Sequence, residues 1–515
     1  MIRVGAIRRR DFLSRTGRAT LALGATSQLG WLTACHNSGP AEPADPGLRL
    51  LASALRGRIV GPGDAEYPRA SRLFNPRFDA IRPRVIAFCE SPEDVRLTLA
   101  WARENELPIA ARNGRHSYGG YSSSRGVVAD LSRLNEVEHD PLVGTVRVGA
   151  GARMIDVYAE LARDSVTVPG GSCPSVGISG LALGGGIGLS ARKLGLTSDS
   201  LRAVELITAS GDSEVASAEE NPALFWACRG GGGGNFGVVT AFHFDVHSVG
   251  DVAIYDFRWD WEHARAVADA WQRFAPKAPD ELFSILKLAN AATDPKREPA
   301  PFVTSYGQFF GPASELRDLL EPLLAAGGPA TQRVAEMSYL DAQAYWAGCE
   351  DGPERCAANV ERVSYKAKSQ YVSKQLPDAG IETMIDWVER WPGSSSAGGG
   401  AVQLDPAGGA INAFSPRATA FVHRDQLFHC QYLAHWGRDD PPQVVDAART
   451  WIADFDASMR RFSSGSAYQN YIDPDLAGWE RAYYGENLPR LMKIRSKYDP
   501  DGVFDFPQSI PRLVQ

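Results

Sequence analysis

Residues 112–121 read Arg112-Asn113-Gly114-Arg115-His116-Ser117-Tyr118-Gly119-Gly120-Tyr121, a stretch rich in glycine and in hydrogen-bond donors. It follows the short apolar run Ile109-Ala110-Ala111, which predicts a strand that opens into a loop. Two further glycine runs lie at residues 170–188 and 230–237. Glycine lets backbone amides approach an anion closely, because no Cβ intervenes. Several separate loops of this kind predict a large, extended ligand that is wrapped by backbone.

The glycine runs do not match the common nucleotide-binding loops. The segment Gly184–Gly188 does not open a strand–turn–helix unit with an acidic residue about twenty positions on, so a Rossmann fingerprint fits poorly. No Gly-Lys-Ser/Thr sequence is present, so a P-loop is not predicted either. A dinucleotide such as FAD, held by several separate loops, fits the pattern better.

Three motifs, in order along the chain, carry a resemblance to a known family. The first is residues 112–120, and the second is Gly170-Gly171-Ser172-Cys173-Pro174-Ser175-Val176-Gly177. The third is a C-terminal block that contains Tyr468-Gln469-Asn470-Tyr471, Asp473, Trp479, Tyr483-Tyr484-Gly485-Glu486-Asn487-Leu488, Tyr498-Asp499-Pro500 and Phe504. From about Asn75 to its end, the chain resembles the berberine bridge enzyme-like flavoproteins of the vanillyl-alcohol oxidase superfamily. Any one motif could arise by chance, but the three together make the resemblance specific.

The resemblance implies FAD that is attached to the protein by two covalent bonds. In the family, the histidine of the first motif links the flavin ring methyl and the cysteine of the second links a ring carbon, which here implies His116 and Cys173. Such bonds raise the reduction potential of the flavin and fix its orientation. The further cofactor contacts that the resemblance implies are Arg112, Asn113, Gly114, Arg115, Ser117, Tyr118, Gly119, Gly120, Val176, Gly177, Gly180, Gly184, Gly185, Gly237, Val238, Val239 and Asn470.

The resemblance also implies the catalytic residues. The family's base corresponds to Tyr471, and Asn412 and Gln431 are the implied substrate contacts. The usual tyrosine pKa of about 10 requires a nearby positive charge or hydrogen bonds before the side chain can act as a base at neutral pH. Plant members tend to carry a lysine two positions before the glutamine, whereas this chain has His429. How Tyr471 is ionised stays open from the sequence, as does the alternative that Tyr471 is a core aromatic residue on a strand.

The implied reaction is hydride transfer from an alcohol group of a sugar or secondary metabolite to FAD, with O2 reoxidising the flavin. A dehydrogenase that uses a quinone or protein acceptor is the first alternative, and a binding protein that keeps FAD as a structural element is the second. In the family, a small residue three positions after the linked cysteine goes with oxidases and a leucine with dehydrogenases. Here that residue is Val176, which favours the oxidase. The sequence does not identify the substrate.

The predicted fold class is α+β. A PCMH-type FAD-binding domain is expected at residues 70–250, completed by a berberine-bridge-type segment at 455–515. A substrate domain with an antiparallel sheet backed by helices is expected at 251–454. Strands are predicted at 85–88, 145–151, 253–259, 302–309 and 418–423, and helices at 154–161 and 262–274.

The N-terminus is interpreted as a targeting signal at residues 1–35, followed by a tether and lead-in at 36–69. Arg8, Arg9 and Arg10 precede Asp11-Phe12-Leu13 as in a twin-arginine signal, and the apolar run that follows is too short to span a bilayer stably. The sequence Leu32-Thr33-Ala34-Cys35 resembles a lipobox, although a small-residue cleavage region that contains a cysteine by chance is the alternative. The prediction is export to the periplasm or cell surface, with a membrane anchor if Cys35 is lipidated.

The net charge, the remaining cysteines and two histidines bear on nucleic-acid partners, disulfides and metal sites. The net charge of −7 and the absence of basic clusters argue against a nucleic-acid partner. Cys349 and Cys356 flank a turn-rich loop where an oxidising compartment permits a disulfide, whereas Cys89, Cys228 and Cys430 are predicted to be small buried residues. His243 and His247 fall in a strand-like run at an even offset, so no metal site is predicted there.

Overall fold

Residues 46–292, 299–349 and 361–513 are the part of the chain that the computed structural model describes. The predicted signal and lipobox at residues 1–35 lie outside these ranges. Cys349 forms a disulfide, and its predicted partner Cys356 is outside the described residues. No helix of the described ranges is both long and apolar enough to cross a membrane.

The first sheet is small and mixed. Its strands are β1 (Arg58–Val60), β2 (Val85–Phe88), β3 (Ile109–Arg112) and β4 (Val127–Asp130), in the order β1-β2-β4-β3, and β4 pairs in parallel with both β2 and β3. The flanking helices are α1 (Pro46–Ala54), α2 (Tyr67–Ala70) and α3 (Pro92–Glu104). The Ser91 hydroxyl caps α3 by accepting from the backbone N of Asp94 at 3.2 Å, as the Ser-Pro-Glu-Asp sequence predicts.

The second sheet is antiparallel and lies next along the chain. Its region contains β5 (Val137–Asp140), β6 (Thr145–Gly149), β7 (Val166–Thr167), β8 (Leu201–Ile207), β9 (Ser213–Ser217), β10 (Val238–Asp245) and β11 (His247–Ser248). The sheet order is β5-β6-β10-β8-β9, and β7 pairs separately with β11. The helices between these strands are α4 (Met154–Leu161), α5 (Ile178–Leu183), α6 (Ala191–Leu194) and α7 (Pro222–Cys228). The predicted helix at 154–161 is confirmed.

The third sheet is the large antiparallel one that the middle of the sequence predicts. It consists of β12 (Val252–Asp260), β13 (Leu282–Ala291), β14 (Ala300–Phe309), β15 (Thr331–Met337), β16 (Ser364–Val372), β17 (Gly400–Pro406) and β18 (Phe428–Trp436), in the order β15-β12-β14-β13-β17-β18-β16. The helices of this part are α8 (Ala264–Phe274), α9 (Ala313–Leu319), α10 (Glu321–Ala325), α11 (Tyr339–Trp346), α12 (Asp378–Glu389) and α13 (Pro442–Met459). One hydrophobic cluster joins the sheet to α8, α12 and α13.

The predicted strand at residues 418–423 is wrong, because these residues form a loop. None of the strand pairs in the described ranges includes these residues. The backbone N–H groups of Ala420 and Phe421 instead donate to the carbonyls of Trp226 and Arg229, where α7 ends. The apolar pattern of this segment therefore reflects burial in a loop and not strand pairing.

The C-terminal segment packs against the first half of the chain. It contains a 3-10 turn at Gln469–Tyr471 and the helices α14 (Trp479–Tyr484) and α15 (Leu488–Tyr498). Apolar residues between 467 and 510 join the same hydrophobic cluster as the first two sheets. The segregated helices and mixed and antiparallel sheets confirm the α+β class.

Candidate active site

A cavity of about 1270 Å³ lies between the glycine-rich loops and the third sheet. Each of the three motifs of the sequence analysis contributes to its wall. The lining comes from parts of residues 72–76, 109–124, 171–187, 232–239, 361–365, 395–398, 431–438, 468–472 and 504–508, together with Tyr484. The fold therefore brings together stretches that lie far apart in the sequence, from Arg72 to Gln508.

One serine hydroxyl lies between the two predicted flavin-attachment residues. The Nε2 atom of His116 is 2.8 Å from the Oγ of Ser175, and the Sγ of Cys173 is 3.9 Å from the same oxygen. The His116 ring stacks on Phe74 with 4.1 Å between centroids. Burial lowers the pKa of His116 to about 4, so the imidazole is neutral at pH 7. In the neutral tautomer whose Nε2–H donates to the Ser175 oxygen, Nδ1 carries the lone pair and is the nucleophilic nitrogen.

The two predicted attachment loops are in close contact. A Cβ on Gly114 would lie 2.3 Å from the backbone N of Gly177, and one on Gly177 would lie 2.2 Å from Cγ of the Asn113 side chain. Asn113 in turn donates from Nδ2 to the carbonyl of Ala150 at 2.5 Å. Arg115 has a φ of 67°, a left-handed conformation that costs about 1–2 kcal/mol for a residue with a side chain. The loop is therefore held in a defined conformation immediately before His116.

The cavity wall has room for a ligand the size of a dinucleotide where its glycines face it. A Cβ on Gly180 would meet no protein atom within 4 Å and would project into the lined space, and one on Gly233 would meet only Leu183, at 3.7 Å. The backbone at these two positions is thus accessible to a bound group, which is the arrangement that FAD requires. The residues present fit FAD.

Several predicted cofactor residues line the cavity and others do not. Asn113, Gly114, Arg115, Ser117, Tyr118, Val176, Gly177, Gly180, Gly237, Val239 and Asn470 belong to the lining, whereas Gly119, Gly120, Gly184, Gly185 and Val238 do not. Arg112 lines the cavity but is committed to a buried ion pair, because its Nε donates to Asp130 at 2.8 Å. Asp130 faces Arg112 across the β3–β4 pairing, so this ion pair fixes the strand ends from which the first motif begins.

The predicted contact at Gly184 serves the packing of the C-terminal segment, whereas Gly185 lies against Phe421. A Cβ on Gly184 would lie 2.0 Å from the side-chain oxygen of Asn470. Asn470 donates from Nδ2 to the carbonyl of Leu181 at 3.0 Å and to the hydroxyl of Tyr468 at 2.9 Å. Only glycine at position 184 permits this close approach, which brings the third motif to the cavity.

Tyr471, Tyr118 and Gln431 form a polar cluster at the cavity wall. The rings of Tyr118 and Tyr471 stack with 5.0 Å between centroids and an interplanar angle of 7°. Gln431, on β18, donates from Nε2 to the Tyr118 hydroxyl at 3.0 Å. All three line the cavity, so the structure brings the predicted base and one predicted substrate contact together.

The surroundings of Tyr471 oppose its ionisation. Burial raises the pKa of Tyr471 well above its usual range, and the neighbouring phenols and the Asp405 carboxylate act in the same direction. Tyr471 lies in a 3-10 turn and not on a strand, so the alternative of a core strand residue does not describe it. A base role at this position needs a positive charge or hydrogen-bond donors close to the phenol oxygen.

Asn412, a predicted substrate contact, and Asp473, a residue of the third motif, have other partners. Asn412 does not line the cavity, and its Nδ2 donates to the carbonyl of Gln426 at 3.0 Å. Asp473 is buried and accepts from Nζ of Lys368, on β16, at 2.5 Å. Lys366, also on β16, pairs with Asp475. These ion pairs fasten the segment that follows Tyr471 to the third sheet.

Sequence reasoning missed part of the wall that the third sheet supplies. Leu433 and His435 follow Gln431 at spacings of two along β18 and share its face of the sheet. Tyr365, on β16, packs edge-on against Tyr118 at 5.2 Å. The alternation along β18 was the signal that could have found the first two, whereas Tyr365 and Ser175 required the tertiary contacts.

Comparison with known proteins identifies the family. A model described as "FAD binding domain" matches residues 83–217, and one described as "Berberine and berberine like" matches residues 467–511. The chain is 35% identical over 464 residues to the Bacillus subtilis protein named "Uncharacterized FAD-linked oxidoreductase YgaK", covering 89% of this chain and 98% of that protein. The chain therefore belongs to the berberine bridge enzyme-like family and is an FAD-dependent oxidoreductase.

Solved structures agree with this assignment. Physcomitrella patens BBE-like 1 superposes with a TM-score of 0.82 at 31% identity, covering 91% of this chain and all of that one (100%). The grass pollen allergen Phl p 4, described as having glucose dehydrogenase activity, gives a TM-score of 0.81 at 25% identity, with 91% and 100% of the two chains covered. One variant of Phl p 4 with an Asn-to-His exchange is described as a glucose dehydrogenase, and the variant with an additional Ile-to-Val exchange as a glucose oxidase.

Proposed function

We propose that this protein is an exported oxidase that holds FAD covalently through His116 and Cys173 and oxidises an alcohol group of a sugar or secondary metabolite, reducing O2 to H2O2. The observation that supports it best is the placement of His116 and Cys173 on either side of Ser175, in the same cavity as Tyr118, Gln431 and Tyr471. The flavin, when bound, supplies the hydride acceptor. In this proposal Tyr471 takes the proton of the substrate hydroxyl, and Gln431 orients the substrate beside Tyr118.

The attachment is tested on denatured protein. Protein precipitated in acid should stay yellow, and a proteolytic digest should yield flavin on the peptides that contain His116 and Cys173. With Cys173→Ala, flavin should stay bound through His116 while activity falls, and the matched change Cys228→Ala, at a buried cysteine outside the cavity lining, should leave both bonds intact. Complete release of flavin from the wild-type protein on denaturation would refute covalent attachment.

The reaction class is tested by anaerobic bleaching of the purified protein. A panel of mono- and oligosaccharides and of aromatic and aliphatic alcohols is mixed with the oxidised protein, and the flavin absorbance is followed without oxygen. At least one member of the panel should bleach the flavin, and air should restore the colour with release of H2O2. Absence of bleaching by every compound of both classes would argue against the proposed substrate classes.

A dehydrogenase is the second candidate, and Val176 bears on the choice. Val176 lines the cavity three positions after Cys173, and in Phl p 4 the described variants with and without the Ile-to-Val exchange differ in electron acceptor. Reoxidation of the reduced protein by O2 should be fast in the wild type and at least ~10-fold slower with Val176→Leu, because the longer side chain fills space beside the ring. A reduced wild type that stays colourless in air but recovers at once with a quinone would establish the dehydrogenase instead.

A further inference from the structure

The face of the third sheet that carries Gln431 continues beyond the cavity wall as a polar row. Gln431, which lines the cavity, lies directly opposite Gln403 on β17, and Gln403 lies directly opposite Lys287 on β13. Residues that lie opposite each other in antiparallel strands share a face, so Lys287 is on the side of the sheet that meets the cavity. Two strand spacings place the backbone of Lys287 about 10 Å from that of Gln431.

Lys287 lies on an accessible part of this face. Lys287 and Gln403 are partly exposed, whereas the alternate residues Leu286 and Leu288 belong to the buried cluster on the other side of the sheet. The charge of Lys287 also acts on the cavity wall. Burial first, and the charge of Lys287 second, lower the pKa of the cavity-lining residue His435 to about 4. The ammonium is therefore near the cavity and has space beside it.

Lys287 has no counter-charge among the residues that the structure describes. The other lysines in the strands of this sheet, Lys366 and Lys368, pair with Asp475 and Asp473. Burial lowers the pKa of Lys287, and no carboxylate of the described ranges acts in the opposite direction. An ammonium that is held away from bulk water without a partner costs free energy. A bound anion would supply the missing partner.

Two carboxylates on the same face of the sheet have other partners. Asp405, on β17, accepts from Nε2 of Gln403 at 2.9 Å. Asp256, on β12, accepts from the hydroxyl of Tyr345 at 3.1 Å. These hydrogen bonds hold both carboxylates in place, and neither carboxylate forms an ion pair with Lys287 in the described ranges. The ammonium of Lys287 is therefore left available to a ligand.

We propose that Lys287 binds a carboxylate group of the substrate, so that the protein oxidises carboxylated alcohols such as uronic acids. A single ammonium matches the single charge of a carboxylate, whereas a phosphate carries a charge of about −1.5 to −2. Arg258, two strands away on β12, does not add a second charge at Lys287, because its guanidinium stacks on Phe302 at 4.0 Å. This inference rests on the proposed function, because it takes the cavity as the site of an alcohol substrate.

His435 adds a hydrogen-bond acceptor near the proposed carboxylate site. Its Nδ1 donates to the carbonyl of Gly399 at 3.1 Å, so the neutral ring carries its lone pair on Nε2. A lone pair of this kind accepts from a hydroxyl and does not attract a carboxylate. The cation of Lys287 and the acceptor of His435 together fit a molecule that carries both an acid and a hydroxyl group.

The test measures binding and not turnover. Isothermal titration calorimetry on the flavin-loaded protein without oxygen compares two matched pairs, methyl glucuronide with methyl glucoside and 4-methylbenzoate with 4-methylbenzamide. In at least one pair the acid should bind at least ~10-fold more tightly than its neutral partner, the usual weight of a hydrogen bond between charged groups. The pair that shows the preference tells a sugar acid from an aromatic acid. No binding of either acid, or equal binding within both pairs, would overturn the inference.

Variants of Lys287 assign the preference to this residue. Lys287→Met removes the charge at similar length and should abolish the preference for the acid, whereas Lys287→Arg should keep it. Methionine in place of an unpaired ammonium is not expected to prevent folding, and Lys287→Gln is a second variant with the same expected result. A preference that persists in the variants without the charge would contradict the role of Lys287.

A control and a second readout complete the test. Lys374→Met removes an exposed lysine outside the cavity lining and should leave the preference unchanged. Flavin content and circular dichroism report folding for each variant. Failure of the oxidase proposal would appear as a flavin that no substrate bleaches, whereas failure of this inference appears as acids that bind no better than their neutral partners.

Discussion

The hydroxyl group of Ser175 lies close to both predicted attachment residues, His116 and Cys173. Its hydroxyl oxygen is 2.8 Å from His116 Nε2 and 3.9 Å from Cys173 Sγ. A hydrogen bond from Nε2–H to the serine oxygen orients the ring and leaves the lone pair on Nδ1. If FAD is attached at His116 as proposed, Ser175 would therefore help to present Nδ1 to it.

Ser175→Ala should slow covalent attachment at His116 without preventing folding. A neutral hydrogen bond contributes about 1 kcal/mol, so the expected loss in attachment rate is about fivefold. Intact-protein mass spectrometry during reconstitution of the flavin-free protein with FAD measures the rate. Ser175→Thr keeps the hydroxyl and is the control, and equal rates for Ser175→Ala and the wild type would leave Ser175 without this role.

Tyr471→Phe tests the base with the smallest possible change. The variant keeps the stacking on Tyr118 but has no hydroxyl, so FAD should remain bound while flavin reduction slows by at least ~100-fold, the usual contribution of a positioned base. Stopped-flow absorbance under anaerobic conditions gives the rate. Tyr484→Phe serves as the comparison, since Tyr484 also lines the cavity but donates to the carbonyl of Gly231. A wild-type reduction rate in Tyr471→Phe would remove Tyr471 from the reaction.

At the scale of elements, one glutamate joins three adjacent strands of the second sheet. Glu205, on β8, accepts from His243 Nε2 on β10 at 2.7 Å and from Arg147 Nε on β6 at 3.1 Å. The hydrogen bond from His243 and the charge of Arg147 lower the pKa of Glu205 to about 2. His243 therefore has a structural role, because it links β10 to β8 through Glu205.

The acid stability of the protein should depend on Glu205. The folded pKa lies below the unfolded value of about 4.3, so this contribution is fully present above pH ~4.3 and is lost as the pH falls through about 2. Glu205→Gln should lower the free energy of unfolding by about 2 kcal/mol at pH 6, a value reduced for partial exposure, and by almost nothing at pH 2. Urea titrations at the two pH values measure the difference.

A control variant, Glu104→Gln, tests whether the loss of stability is specific to Glu205. Glu104→Gln removes an exposed carboxylate at the end of α3 and should change the unfolding free energy little at either pH. If Glu205→Gln destabilises the protein equally at pH 6 and pH 2, its effect is one of packing and the electrostatic explanation is incorrect.

At the scale of the whole molecule, the predicted route out of the cytoplasm can be tested apart from the chemistry. We propose twin-arginine export, which carries folded proteins, and lipid attachment at Cys35. Replacing Arg8, Arg9 and Arg10 with lysine keeps the positive charge but removes the arginines that the transport system recognises. The protein should then accumulate in the cytoplasm, as cell fractionation with a flavin or antibody readout would show.

Lipid attachment at Cys35 is tested with a separate variant. Cys35→Ala should abolish incorporation of a labelled fatty acid and move the exported protein from the membrane fraction to the soluble one, because the diacylglycerol thioether is lost. Cys89→Ala is the matched control at a buried cysteine. Unchanged labelling in Cys35→Ala would favour the chance interpretation of Leu32-Thr33-Ala34-Cys35.

The sequence by itself determined the elements whose pattern is local. Helical spacing predicted α4, alternation and apolar runs predicted β12 and β14, and three motifs indicated the family. The segment at 418–423 has a strand-like pattern but forms a loop, because its backbone N–H groups donate to carbonyls at the end of α7, a distant partner that no local pattern records.

Only the tertiary structure decided how the site is assembled. The contacts of Ser175 with His116, of Asp405 with His429 and of Tyr471 with Tyr118 join residues that are distant in the chain. Asn412 and Gln431 looked equivalent as substrate contacts, yet only Gln431 lines the cavity. The physical reason is that a side chain's direction and burial follow from strand register and loop packing, and these depend on the whole fold.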